Sequence, residues 1–276
     1  MAITASMVNE LRQKTNAGMM DCKNALVEAD GDFEKAIDIL RKKGQKIAAK
    51  REDRDATEGV VIAKTTADNK RGALIVLNCE TDFVAKNENF VTVANKMLDI
   101  AIDNNPADLE ALKALPYGDG LTIGEKVIEQ TGVIGEKIDL SEYAPITAEE
   151  VIVYNHPGNR LASIIGLSKS GEKIAEAGRE IAMQVAAMAP VALTREEIPQ
   201  ATIDRELEVG KDLAIQEGKP ADMAEKIAQG RLNKFFKEAA LLEQEYINDN
   251  KVSVTQYLTG IEKDLTITSF KRISLS

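Results

Sequence analysis

Two separate stretches of this chain carry one pattern, and that repetition limits its possible folds more than any other feature. "GVVIAKTTADNKRGALIVLNCET" (59–81) reads as an apolar run, a polar turn and a second apolar run. The β-branched and aliphatic residues of both runs are those of strands. A helical pattern follows over Asn87–Asp103, with Phe90, Val93, Ala94, Met97, Leu98 and Ala101 on one face. "EVIVYNHPGNRLASIIGLSKSGEKIAEAGREIAMQVAAMA" (150–189) repeats the order at similar lengths, with its tight turn at His156–Asn159. The pattern predicts two related α+β halves, each a small antiparallel sheet backed by a helix. The likeness lies in the pattern and not in residue identity.

Ahead of the first half the chain reads as three short helices. Thr4 caps the first, which turns Met7, Val8 and Leu11 to one side, and "NAG" (16–18) breaks it. The second runs from about Met20 to Ala29 with Cys22, Ala25, Leu26 and Ala29 at helical spacing. After the "DGD" turn (30–32), Asp32 caps a third that carries Phe33, Ala36, Ile37 and Leu40 and is expected to end at Gly44. Met19 and Met20 at the "AGMM" corner cannot both point inward, which leaves either one buried Met or an adaptable exposed surface.

Between the halves, helices are expected at Ala107–Leu115 and near Ile123–Gly132, and a strand over Ile134–Leu140. Beyond Pro190 the chain becomes charged and helical on both sides of "EGKP" (217–220). Gly218 ends one helix and Pro220 starts the next. Ile203, Leu207 and Leu213 are expected to face Met223, Ile227 and Leu232 in a projecting helical hairpin. A short helix (Val254–Leu258) and a last strand (Leu265–Leu275) are expected to return to the second sheet. The fold class is α+β. Its expected units are a three-helix domain and basic linker (1–54), a first core half (55–140), a second core half (141–198 and 238–276) and an inserted helical hairpin (199–237).

Composition narrows the function. Aromatic residues make up 4% of the chain and there is no Trp, so the cores are aliphatic and Ala-packed, and a base-stacking nucleic-acid platform is disfavoured. The net charge of −10 opposes general affinity for nucleic acid or anionic membrane. Residues 1–54 hold 11 Lys/Arg against 9 Asp/Glu, whereas the remainder holds 24 against 36. The basic excess lies in "RKKGQKIAAKREDR" (41–54), read as a solvated helix end and linker, with an RNA or protein contact as the sharper alternative. Cys22 and Cys79 stand alone, with no disulfide framework. No signal-like opening and no apolar run near the roughly 20 residues of a membrane span are present, and a cytoplasmic protein is expected.

Catalytic motifs are missing. "GLTIGEK" and "GVIGEK" lack the spacing and the Ser/Thr of a phosphate-binding loop. His156 is the only histidine, which excludes a two-histidine zinc motif, and no GxSxG accompanies it. No catalytic residue, metal ligand or cofactor is expected. What remains are exposed apolar groups at turns, of the kind found at interaction sites: Met19 with Met20, Phe83 beside Asp82, and His156.

"LRQKTNAGMMDCKNAL" (11–26) and "LNCETDFVAKN" (77–87) resemble the two signatures of the translation elongation factor Ts family. "GKPADMAEKIAQGRLNKF" and "LLEQEY" resemble later blocks of that family in the right order. The resemblance implies a guanine-nucleotide exchange factor that binds the GDP form of elongation factor Tu and promotes GDP release. It also implies a ubiquitin-associated-like three-helix domain ahead of the two halves and hairpin. It places Thr81, Asp82, Phe83 and Val84 at the partner's nucleotide domain, with the aromatic wedged near the magnesium and phosphate site. It adds Ile134, Gly135 and His156 as further contacts. Arg12, Met19, Met20 and Lys23 match positions that grip the flank of that domain. No membrane and no direct nucleic-acid contact are expected, and a homodimer or a dimer of heterodimers stays open. The alternatives are a non-catalytic adaptor using the N-terminal helices, and RNA binding through residues 41–54. Phe83 packed under its own sheet is the alternative for the motif itself.

Overall fold

The computed structural model describes residues 2–275; Met1 and Ser276, the outermost positions of the first and last expected units, lie outside the described residues. The chain opens with α1 (Ala5–Thr15), α2 (Met19–Glu28) and α3 (Phe33–Arg51). The hydroxyl of Thr4 accepts the Met7 N–H at 3.3 Å, and Asp32 accepts the Lys35 N–H at 3.2 Å. Each satisfies an amide that the first helical turn leaves unpaired. Val8, Leu11, Cys22, Ala25, Leu26 and Ala36 fill the centre, with Phe33, Ile37 and Leu40 around it.

Gly44 does not end α3, as its residue type had suggested; the helix runs on to Arg51. The basic segment 41–54 is therefore mostly helix rather than linker, and it packs on a later helix, α7 (Ile123–Ile134). A Cβ on Gly132 of α7 would stand 2.4 Å from the Gly44 Cα. Two glycines let the helix backbones touch, which offsets the roughly 0.5–1 kcal/mol that a helical Gly costs.

The first half holds β1 (Glu58–Thr65), β2 (Arg71–Cys79), a single turn α4 (Asp82–Ala85), α5 (Glu88–Asn104) and α6 (Leu109–Ala114). Then come the small ribbon β3 (Pro116–Gly118) and β4 (Leu121–Thr122), α7, and β5 (Asp139–Thr147). The strand expected over 134–140 is displaced. Ile134 closes α7, Gly135 at φ 81° caps it, and the strand runs past the expected boundary at 140 as the outer partner of β2. Its polar run and Pro145 suit an edge strand and hide it from a period-2 reading.

The second half repeats this topology with β6 (Glu150–Asn155), β7 (Leu161–Leu167) and α8 (Glu172–Met188). The projecting pair α9 (Gln200–Gln216) and α10 (Ala221–Ala239) follows, then β8 (Glu245–Tyr246), β9 (Asp249–Ser253), α11 (Val254–Ile261) and β10 (Ile267–Ser274). The sheet orders are β1-β2-β5 and β10-β7-β6, so in each half the last strand returns beside the second strand of the hairpin.

The two sheets pack face to face through Val61, Ala63, Leu74, Val76 and Ile146 on one side and Val151, Ala162 and Ile164 on the other. Helix α5 covers the outer face of the first sheet through Phe90, Met97 and Leu98, and α8 covers the second through Ile174, Ile181 and Val185. Burial on both faces explains why the strands read as continuous apolar runs and not as alternating ones. The halves also exchange backbone bonds. Val61 N–H donates to the Asn159 carbonyl and Val151 N–H to the Asn69 carbonyl, both at 2.7 Å. Asn69 and Asn159 occupy equivalent turns, each at φ 54°.

In the hairpin, Gly218 at φ 79° turns the chain between the helices. Its outer seam is made of small residues, not of the expected Leu213–Met223 pairing. Gly210, Ala214, Ala224 and Ala228 are buried there, and Leu213 and Met223 face outward. Larger side chains meet at the base, where Ile203 and Leu207 pack around Leu232 and Phe236. Among the described residues no helix is long and apolar enough to cross a membrane.

Candidate functional site

Strand β2 ends at Cys79, and after Glu80 and Thr81 the chain turns into α4. Thr81 is extended (φ −125°) and caps that turn, with its hydroxyl 3.5 Å from the Val84 N–H. Ala85 is buried and Val84 packs on the first-half core, which fixes the orientation of the turn. Phe83 is thereby thrown outward and is 83% exposed. An aromatic this open buries little of its surface against the chain that carries it.

Asp82 is bonded to Lys86 Nζ at 2.6 Å, one helical turn on. That hydrogen bond holds its carboxyl below the usual range. A solvent-exposed pair of this kind contributes little and exchanges partners readily.

The turn is clasped from the side by the loop after α7. Glu136 accepts two hydrogen bonds from Thr81: from its N–H at 3.0 Å and from its hydroxyl at 2.8 Å. The neighbouring residues bond in the opposite sense, because Glu80 accepts the Lys137 N–H at 2.6 Å. Glu80 also takes Arg51 Nη1, from the end of α3, at 2.7 Å. The Lys137 amide, with Arg51 adding to it, holds the Glu80 carboxyl below its ordinary value. Beneath the clasp, burial and then the Glu136 charge push the Cys79 thiol up to about 12. Ile134 packs on the same core, and the space beyond the Cα of Gly135 is open. Segments 81–84 and 134–135 are thus brought together.

His156 projects from the turn between β6 and β7 and is exposed, with Nδ1 2.9 Å from the Tyr154 hydroxyl. Its turn lies at the same end of the core as Phe83. Arg160 ion-pairs with Glu58, and Glu58 stands opposite Cys79 in the first sheet. Met19 and Met20 are both outward, 57% and 62% exposed, and with Lys23, Ile3 and Ala5 they line a shallow apolar concavity. Arg12 is exposed on α1 and does not line it. The sequence reading missed Glu80 and Glu136, since a glutamate in a surface loop carries no signal of its own.

A family model described as "Elongation factor TS" matches residues 80–276. The chain is 51% identical over 273 residues to "Elongation factor Ts" of Christiangramia forsetii, covering 99% of this chain and 98% of that relative. It is 50% identical over 274 residues to the protein of the same name from Amoebophilus asiaticus, covering 99% of each. For Cytophaga hutchinsonii the identity is 49% over 275 residues, again with 99% of each chain covered. These relatives extend the likeness across the N-terminal helices that the family model does not reach.

Proposed function

The chain belongs to the elongation factor Ts family, the nucleotide exchange factors for elongation factor Tu in translation elongation, and we propose that it drives exchange with a rigid aromatic wedge, Phe83. The observation that carries this reading is an 83% exposed Phe on a turn whose own backbone is clasped and buried. A factor that promotes release must bind the nucleotide-free partner better than the GDP-bound one, because only differential affinity shifts an equilibrium. A wedge meets that condition when its pocket opens only as the partner's magnesium and phosphate site is disturbed.

Asp82 joins the wedge by leaving Lys86 for polar groups of the partner. Ile134 and Gly135 contact the partner alongside it, and His156 makes a second, separate contact from the other half. Met19, Met20, Lys23 and Arg12 grip the flank of the nucleotide domain and add affinity rather than exchange. The factor acts in the cytoplasm with no cofactor and no nucleotide chemistry of its own. The test is release of labelled GDP from elongation factor Tu. The folded chain accelerates it, and Phe83→Ala loses most of the acceleration; unchanged release by that variant contradicts the wedge.

A further inference from the structure

We propose that Glu136 is a positioning residue for exchange, acting through Thr81 to hold the Asp82–Phe83 turn against the C-terminal end of α7 at Ile134 and Gly135. The assignment rests on the wedge reading of Phe83 and goes beyond it, because Glu136 need not touch the partner.

The geometry is specific. A wedge transmits force only if its base does not yield, and α4 is one turn of four residues, too short to be rigid by its own hydrogen bonds. Rigidity has to come from its ends. Val84 and Ala85 anchor the far end in the core. At the near end Thr81 has no ladder partner, since β2 and β5 are last paired at Asn78 and Asp139. The two oxygens of Glu136 replace the missing ladder, taking the Thr81 N–H at 3.0 Å and its hydroxyl at 2.8 Å. Donating its proton to Glu136 leaves the Thr81 oxygen lone pairs facing the Val84 N–H, so one carboxylate also sets the cap.

Glu136 is itself fixed. Gly135 at φ 81° ends α7 with its N–H on the Thr131 carbonyl at 2.9 Å. The Thr131 hydroxyl accepts the Ile138 N–H at 3.2 Å, and Lys137 N–H is held by Glu80. A carboxylate is the one side chain of this length with two acceptors for the two Thr81 donors. Glutamine offers a single acceptor oxygen, and aspartate is shorter by one methylene.

The experiment measures GDP release from elongation factor Tu over a range of factor concentrations, with melting curves for each variant. The proteins are the full chain, Phe83→Ala, Glu136→Ala, Glu136→Gln and the Phe83→Ala/Glu136→Ala double variant. With the Phe83 side chain present, Glu136→Ala lowers the maximal release rate about tenfold, less than the roughly hundredfold that a misplacement of about 1 Å can cost. In the Phe83→Ala background the same change acts within about twofold, because residues that work as one unit are not additive. Glu136→Gln falls between, and replaces Glu136→Ala in the cycle should the latter not fold. Equal losses in both backgrounds, or wild-type release by a folded Glu136→Ala, overturn the assignment while Phe83→Ala stays impaired. Normal release by Phe83→Ala overturns the wedge reading and this assignment together.

Discussion

Glu136 receives both the amide and the hydroxyl of Thr81, across a sequence separation of 55 residues. In return Glu80, the neighbour of Thr81, receives the amide of Lys137, the neighbour of Glu136. The turn that presents Phe83 and the loop that follows α7 are therefore one unit. The end of α3 joins them through Arg51.

This clasp has a pH dependence of definite sign. The Glu80 carboxyl is depressed in the folded chain, by the Lys137 amide first and by Arg51 with it. A depressed carboxyl contributes stability that is present above its unfolded value, about 4.3, and lost as pH falls through the folded value. The melting temperature of Glu80→Gln is expected to lie below that of the parent chain at neutral pH. The gap closes as the pH drops below about 4. A gap that is constant with pH contradicts the ionised clasp.

The glycine crossing joins the N-terminal helices to the core. Gly132→Val puts a side chain where the Gly44 backbone stands, and backbone cannot yield as a flexible side chain does. The expected cost is about 1–3 kcal/mol of stability, with α3 lifted from α7. Limited proteolysis then cuts within residues 41–54, which the docked helix protects, and affinity for elongation factor Tu falls. An unchanged melt and cleavage pattern contradicts the crossing.

The two halves are expected to unfold together, because the core between the sheets belongs to both. Ile164 is fully buried in that shared layer. Ile164→Ala is expected to cost about 2–5 kcal/mol. Probes in either half report the same shifted transition, whereas two separate transitions show independent halves.

Neither thiol is expected to react in the folded chain. Cys22 and Cys79 are both buried, and burial raises both above the free value, Cys79 to about 12. Maleimide at about pH 8 labels both only after denaturation. Rapid labelling of the native chain contradicts the packing beneath the clasp.

The repeated halves were legible because their strands, buried on both faces, are long apolar runs bounded by clear turns. The hairpin was legible through Gly218 and Pro220. Residue type misled at Gly44, where a glycine usually read as a helix end serves a close helix crossing. Strand β5 was obscured because only Leu140 and Ile146 along it are buried. At the site, Phe83 and the two methionines stood out as apolar residues in turns. Glu80 and Glu136 did not, since among 45 acidic residues nothing local marks the two whose partners lie across the fold.

Whether Phe83 serves a partner or its own core is decided by melting Phe83→Ala and then measuring its GDP-release rate on elongation factor Tu. The expected result is a melting temperature close to the parent's, far from the loss of roughly 3–5 kcal/mol typical of a buried Phe, together with strongly reduced exchange. A large drop in melting temperature with normal exchange per folded molecule would make Phe83 a core residue and overturn the wedge.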